Sequence, residues 1–325
     1  MIRSHRVTTE EEGDTLLLIL RRSMGLSGAA VRALKAHGGL HVDGVKQFTI
    51  YRVRPGELVT ADVTLAEREG DNLPEEGPLT VLWEDEGLIA VNKPAGLIVH
   101  PSRARLTGTL ANFVAGYLQK AGQRPICHIV NRLDRDTSGV VLFAKNAHMK
   151  ALSTEALRTG EKRYTALVMG ALTPPDGTID LPIRRFAPQD MRRIVAEDGR
   201  RAVTHYCTRA QGMLAGQACS VLELTLETGR THQIRVHCLA QGAPLIGDPL
   251  YCTEQSTAFS VDVGIGRQLL HSHHLGFLHP LSGEMVEIDA PIQDGMFAAL
   301  LAGFVSPHMP GPKGSFLKGA GREAD

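Results

Sequence analysis

No Cys-x-x-Cys pair, no apolar run of membrane-spanning length, no Gly-x-Gly-x-x-Gly and no excess of either charge occurs in this 325-residue chain. The five cysteines, Cys127, Cys207, Cys219, Cys238 and Cys252, are odd in number and scattered, which argues against a disulfide framework and against a zinc knuckle. A reducing cytosol is the expected setting. The opening stretch, MIRSHRVTTEEEGD, carries acids where a secretory signal needs an apolar segment. Nothing downstream is long and apolar enough to span a bilayer, so the expectation is a soluble, cytoplasmic protein with no membrane partner. Lys+Arg and Asp+Glu are equal at 35 each. No global field therefore advertises a nucleic-acid partner, and any such partner must be held by local charge.

What is present is a foldable composition, 43% hydrophobic and 22% charged. The length favours one large core plus a smaller module. From Thr15 to Ala36 the apolar spacing predicts two short helices separated at Gly25, with Ser27 capping the second. Asp43-Gly44 then signals a hairpin, and Pro55-Gly56 a turn before another strand. Between Arg21 and Arg54 lie Arg21, Arg22, Arg32, Lys35, Lys46, Arg52 and Arg54 against a single acid, Asp43, which is the local field that the net charge hides. The module is assigned to residues 13–66, an acidic, turn-rich linker to 67–78, the main domain to 79–305 and a disordered tail to 306–325.

In the main domain, strands are predicted around Gly139–Lys145, Lys162–Gly170, Ala202–Arg209, Cys219–Leu226, Gln268–Phe277 and Glu284–Asp289. Helices are predicted at Thr109–Lys120, His148–Arg158, Thr231–Ala240 and Ile292–Ala302. Runs of strands with few intervening helices imply an α+β domain around a largely antiparallel sheet.

The most distinctive segment is HIVNRLDRDTSGVVLFAKN, in which a polar turn, Arg132 to Gly139, joins two apolar stretches. Taken alone it reads first as an Asx-type turn with solvated arginines. It does not stand alone. The turn resembles the signature loop of the RluA family of RNA pseudouridine synthases, Arg-Leu-Asp followed two residues later by Thr-Ser-Gly. The resemblance continues in register through NKPAGLIVHPS, Lys162-Arg163-Tyr164, GRTHQIRVHCLAQGAPLIGDPLY and LLHSHHLGFLHPLSG. One departure is Asn131, where the family often has histidine, and it bears on the substrate more than on the activity. The resemblance implies a pseudouridine synthase fold whose sheet is mixed but largely antiparallel. The amino-terminal module in turn resembles a small α/β RNA-binding domain first seen in a ribosomal protein of the small subunit.

By that resemblance Asp134 is the nucleophile, Tyr164 the aromatic against the target base, and Arg235 the partner of the aspartate. Pseudouridylation breaks the bond from ribose carbon-1′ to base nitrogen-1, turns the base and rebonds it through carbon-5, with no net redox or hydrolysis. One carboxylate can carry this covalently, so neither a metal nor an organic cofactor is expected. A stacked uridine must first be extruded, and Arg132 is the residue expected to occupy the gap. Leu269 and Leu270 are expected to line the pocket. The arginines of the Arg184–Arg201 stretch, Arg184, Arg185, Arg192 and Arg193 among them, are expected to grip phosphates, as are Arg21, Arg22, Arg32, Lys35 and Arg52 of the module. His271, His273, His274 and His279 lack the spacing of familiar zinc sites and are read as structural.

The expected partner is ribosomal RNA, or transfer RNA, with the protein acting as a monomer. Two other readings compete: an RNA-binding protein that keeps the fold without turnover, and a glycosidase using Asp134 and Asp136. Two acids in one tight loop are poorly arranged to flank a sugar.

Overall fold

The computed structural model describes residues 2–26, 28–63, 72–102 and 105–304. In the amino-terminal module, β1 (Ile2–Arg6), β2 (Leu40–Val42), β3 (Val45–Lys46) and β4 (Leu58–Asp62) form a sheet in the order β1-β4-β2-β3. It carries α1 (Leu16–Arg22) and α2 (Gly28–His37). Thr15 caps α1 by accepting the Leu18 N–H, while the cap expected at Ser27 lies outside the described residues. Asp43 and Gly44, at φ 45° and 76°, make the tight turn between β2 and β3. Leu16, Leu20, Leu34 and Val59 pack a closed core. This sheet starts earlier than residue 13, because β1 pairs along its whole length with β4.

The main sheet contains ten strands. They are β5 (Val81–Glu84), β6 (Leu88–Lys93), β7 (His128–Ile129), β8 (Ser138–Ala144), β9 (Glu161–Met169), β10 (Asp176–Asp180), β13 (Val203–Leu214), β14 (Gln217–Leu226), β15 (Leu270–Leu278) and β16 (Met285–Asp289). A separate hairpin is formed by β11 (Ile183–Arg185) and β12 (Arg193–Val195). The order is β10-β13-β14-β9-β15-β8-β6-β5, with β16 on β15 and β7 on β8. Among the described residues only β15 and β8 pair in parallel, so the sheet is mixed and largely antiparallel.

Helices α3 (Leu110–Lys120) and α4 (Ala147–Thr159) cover opposite faces of β6 and β8, whose residues are buried throughout. Along β8, Val141 and Phe143 face α3 while Leu142 and Ala144 face α4, the period of two that a doubly covered strand requires. At the other end, α5 (Gln233–Ala240) lies on one face of β9 and β14, with α6 (Glu254–Asp262) and α7 (Gly295–Phe304) on the other. Helix α6 was not expected. Its apolar signal is weak, and the readable mark is its cap, Thr253 accepting the Ser256 N–H. The second half of the predicted linker is packed rather than free: Asn72 is buried and donates to the Cys127 carbonyl, and the Glu75 N–H donates to the Asn112 carbonyl. The predicted tail, 306–325, lies outside the described residues.

Candidate active site

The loop from Val130 to Thr137, between β7 and β8, is held from several sides. The Asn131 amide donates to the Val140 carbonyl and accepts the Leu142 N–H, pinning the start of the loop to β8. The Lys93 ammonium, fully buried, donates to the carbonyls of Pro94, Leu97 and Arg135 at 2.7–2.9 Å. Arg267 donates to the Asp136 carbonyl, and the Thr137 N–H closes a turn onto the Asp134 carbonyl. Asn131, Lys93, Arg267 and the Thr137 N–H thus fix a segment that local propensity alone would leave mobile.

This bracing aims Asp134 into a cleft lined by Arg132, Tyr164, Leu226, Arg230, Ile234 and Leu270. The Asp134 carboxylate is a quarter exposed and accepts from Arg235 Nη1 at 3.1 Å. Arg235 is itself buried on α5, where Asp248 grips it through Nε at 2.6 Å and Nη2 at 2.8 Å. Burial opposes the Arg235 charge, yet the bonds from Asp248 and Asp134 outweigh it and hold the guanidinium above its ordinary pKa. The planar fork is thereby fixed by one carboxylate and presents its remaining nitrogen to the other. Asp248 was missed in the sequence, and Gly247-Asp248-Pro249 within the matched segment was its available sign.

Tyr164, on β9, is buried in the apolar floor with Leu224, Ile234 and Leu270. Burial pushes its phenol up to about 12, against the opposing bond to Ser272, so it is a neutral ring. Leu270 lines the cleft, but Leu269 does not: it packs on the other face with Ile246, Phe259 and Phe297. Adjacent residues of an extended segment point to opposite faces, so only one of the two can face the cleft. Asp136 also stays out of the cleft and lies 3.8 Å from the Arg135 guanidinium.

Arg132 is exposed and lines the cleft together with Arg230. Arg184, Arg185, Arg192 and Arg193 lie on the β11–β12 hairpin outside the cleft, two of them paired locally, Arg184 with Asp198 and Arg192 with Asp190. Arg21, Arg22, Arg32, Lys35 and Arg52 are exposed on the module. His271 bonds Ser138 and the Ala290 carbonyl, His273 bonds Thr165, His274 bonds Asp289, and His279 lies 3.0 Å from Asp85. Among the described residues, no group of three or more His, Cys, Asp and Glu is gathered to hold a metal.

An anion clamped at the mouth of an apolar, aromatic-floored cleft can attack a planar ring or a sugar carbon without metal help. Comparison with known proteins is consistent with that chemistry. Residues 87–240 match the family model described as RNA pseudouridylate synthase. An uncharacterized RNA pseudouridine synthase of Bacillus subtilis is 37% identical over 276 residues, covering 84% of this chain and 94% of the relative. A ribosomal large subunit pseudouridine synthase D of Xanthomonas campestris is 39% identical over 253 residues, 75% of each chain. Human RNA pseudouridylate synthase domain containing 1 superposes with a TM-score of 0.53 at 25% identity, covering 67% of this chain and 86% of its own. Fold and relatives together define an RNA-modifying isomerase. The chain belongs to the RluA family of RNA pseudouridine synthases.

Proposed function

We propose that this chain isomerises specific uridines of ribosomal RNA to pseudouridine through a covalent Asp134 adduct, without metal or organic cofactor. The observation that carries the mechanism is the Asp248–Arg235–Asp134 clamp at 2.6–3.1 Å, which sets a fixed guanidinium against the attacking carboxylate and aims it. The extruded base stacks on Tyr164, and Leu270, Leu226 and Ile234 exclude water around it. Arg132 fills the vacated stack. The exposed arginines of the β11–β12 hairpin and of the module hold phosphates and set affinity. Ribosomal RNA is favoured over transfer RNA because relatives in Xanthomonas campestris and Nitrosomonas europaea are named for the large ribosomal subunit. The protein acts as a cytoplasmic monomer in this reading; among the described residues, no helix is long and apolar enough to cross a membrane.

The test is single-turnover pseudouridine formation with Asp134→Asn. The amide keeps size and hydrogen bonding but cannot form the adduct, so activity drops to background while RNA affinity stays within a few-fold. Asp136→Asn, outside the cleft, retains turnover. A folded Asp134→Asn protein with near-normal turnover refutes the mechanism. Mapping pseudouridines in ribosomal and transfer RNA from cells with and without the protein decides the substrate.

A further inference from the structure

A second series of contacts leads to the Asp134 oxygen that Arg235 does not bond. His232, the residue before α5, adopts φ 60° and points its ring into the cleft, with Nε2 3.8 Å from Asp134 Oδ1. Its Nδ1 lies 2.8 Å from the Tyr251 hydroxyl, and that hydroxyl accepts the backbone N–H of Arg193 at 2.7 Å. Tyr251 is buried, its ring under the Arg235 guanidinium at 4.9 Å and edge-on to His232 at 5.4 Å. Its own N–H donates to Asp248 Oδ1. One tyrosine therefore touches the histidine, the arginine and the outer carboxylate of the site.

Arg193 belongs to β12, in register with Arg185 on β11, so the hydroxyl is tied to the backbone of the arginine-bearing hairpin. Val195 and Ile183 seat that hairpin against Val236 of α5 and against Tyr251. A hydroxyl that already accepts from Arg193 has its own proton free to donate to Nδ1. The ring proton of His232 is then on Nε2, facing Asp134. At 3.8 Å the contact is longer than a hydrogen bond, and a small movement of the ring decides whether one forms.

We propose that His232 and Tyr251 are positioning residues that couple the seating of the β11–β12 hairpin to the aim of the Asp134 carboxylate. This rests on the reading of Asp134 as nucleophile. RNA phosphates drawn to Arg185 and Arg192 act on the hairpin whose backbone N–H holds Tyr251. Seating passes through Tyr251 to His232, and the imidazole N–H then steadies the oxygen that Arg235 leaves free.

The test is single-turnover pseudouridine formation across RNA concentrations for Tyr251→Phe, His232→Gln and the double variant. Phenylalanine keeps the ring under Arg235 and in the core and removes only the hydroxyl. Tyr251→Phe is expected to lower the saturating rate about tenfold, the scale of one lost hydrogen bond, with half-saturation unchanged. In His232→Gln, whose amide N–H replaces Nε2–H but offers no Nδ1 acceptor, the added Tyr251→Phe is expected to change the rate less than about twofold. Should Tyr251→Phe not fold, His232→Gln against His232→Ala carries the test, with the glutamine expected to restore most of the rate lost by the alanine. A wild-type rate for Tyr251→Phe, a loss confined to half-saturation, or losses that multiply in the double variant overturns the proposal. Turnover by Asp134→Asn in the same assay would instead overturn the nucleophile reading on which it rests.

Discussion

Single residues in this site act through the company they keep. Lys93 is the clearest case: burial pushes its ammonium down to about 7 from an ordinary 10.5, against the pull of Asp136 and Asp134. Between those two values the unfolded chain holds a proton that the folded chain has released, so folding stability rises with pH across that window. Denaturant unfolding between pH 7 and 10 should show a component of about 1 kcal/mol per pH unit that Lys93→Met abolishes. An identical pH slope in the two proteins would mean that Lys93 stays charged in its cage of carbonyls. Arg132 makes a different prediction, because it is exposed and lines the cleft beside Asp134. Arg132→Ala should slow turnover on structured RNA at least about tenfold more than on an unstructured oligonucleotide, since unstacking a base costs a few kcal/mol only in the former. Equal losses on both would assign Arg132 to chemistry or to simple binding. That Asp134, Arg132 and Leu270 line the cleft agrees with motif and type; Asp248 and His232 were not named, because what marks them is what they touch across the fold.

At the scale of elements, the site depends on how β8 meets β15. Gly139 sits at φ 116° where the two strands pair in parallel, and a Cβ there would lie 2.1 Å from the Ser272 carbonyl oxygen. Ser272 in turn bonds Tyr164, so the close approach sets the aromatic floor and the Asp134 loop in one frame. Gly139→Ala forces the strands apart and strains the backbone, and denaturant titration should find a loss of about 3 kcal/mol. Wild-type stability would mean that β15 can yield without cost. Most strands and helices of the main domain were readable because each is an unbroken apolar run, as in β8, or carries a helical period, as in α3. Helix α6 was not, since its pattern is weakly amphipathic and its position is set by packing Phe259 against Ile246 and Leu269. Leu269 itself illustrates the rule: the sequence names two adjacent leucines, and only the pleat selects Leu270 for the cleft.

Over the whole molecule, neutrality conceals a separation of charge. The basic residues of the module stand exposed on a unit with its own core, far along the chain from the clamp on α5. Replacing Arg21, Arg22, Arg32 and Lys35 together by alanine should weaken RNA binding and make the salt dependence shallower by about 3 in log–log slope, the release expected of four phosphate contacts. The saturating single-turnover rate should hold within about twofold. A collapse of that rate would make the module part of the active site. By itself the sequence determined the family and the α+β class and singled out Asp134 in the signature turn, because periodicity and short motifs are local properties of the chain. Only the tertiary structure decided which leucine faces the cleft, that Asp248 locks Arg235, and that Tyr251 ties a hairpin to the histidine beside Asp134. These contacts join residues from 13 to 101 positions apart. Such distances are closed by the packing of α5 on the sheet, and no local pattern encodes them.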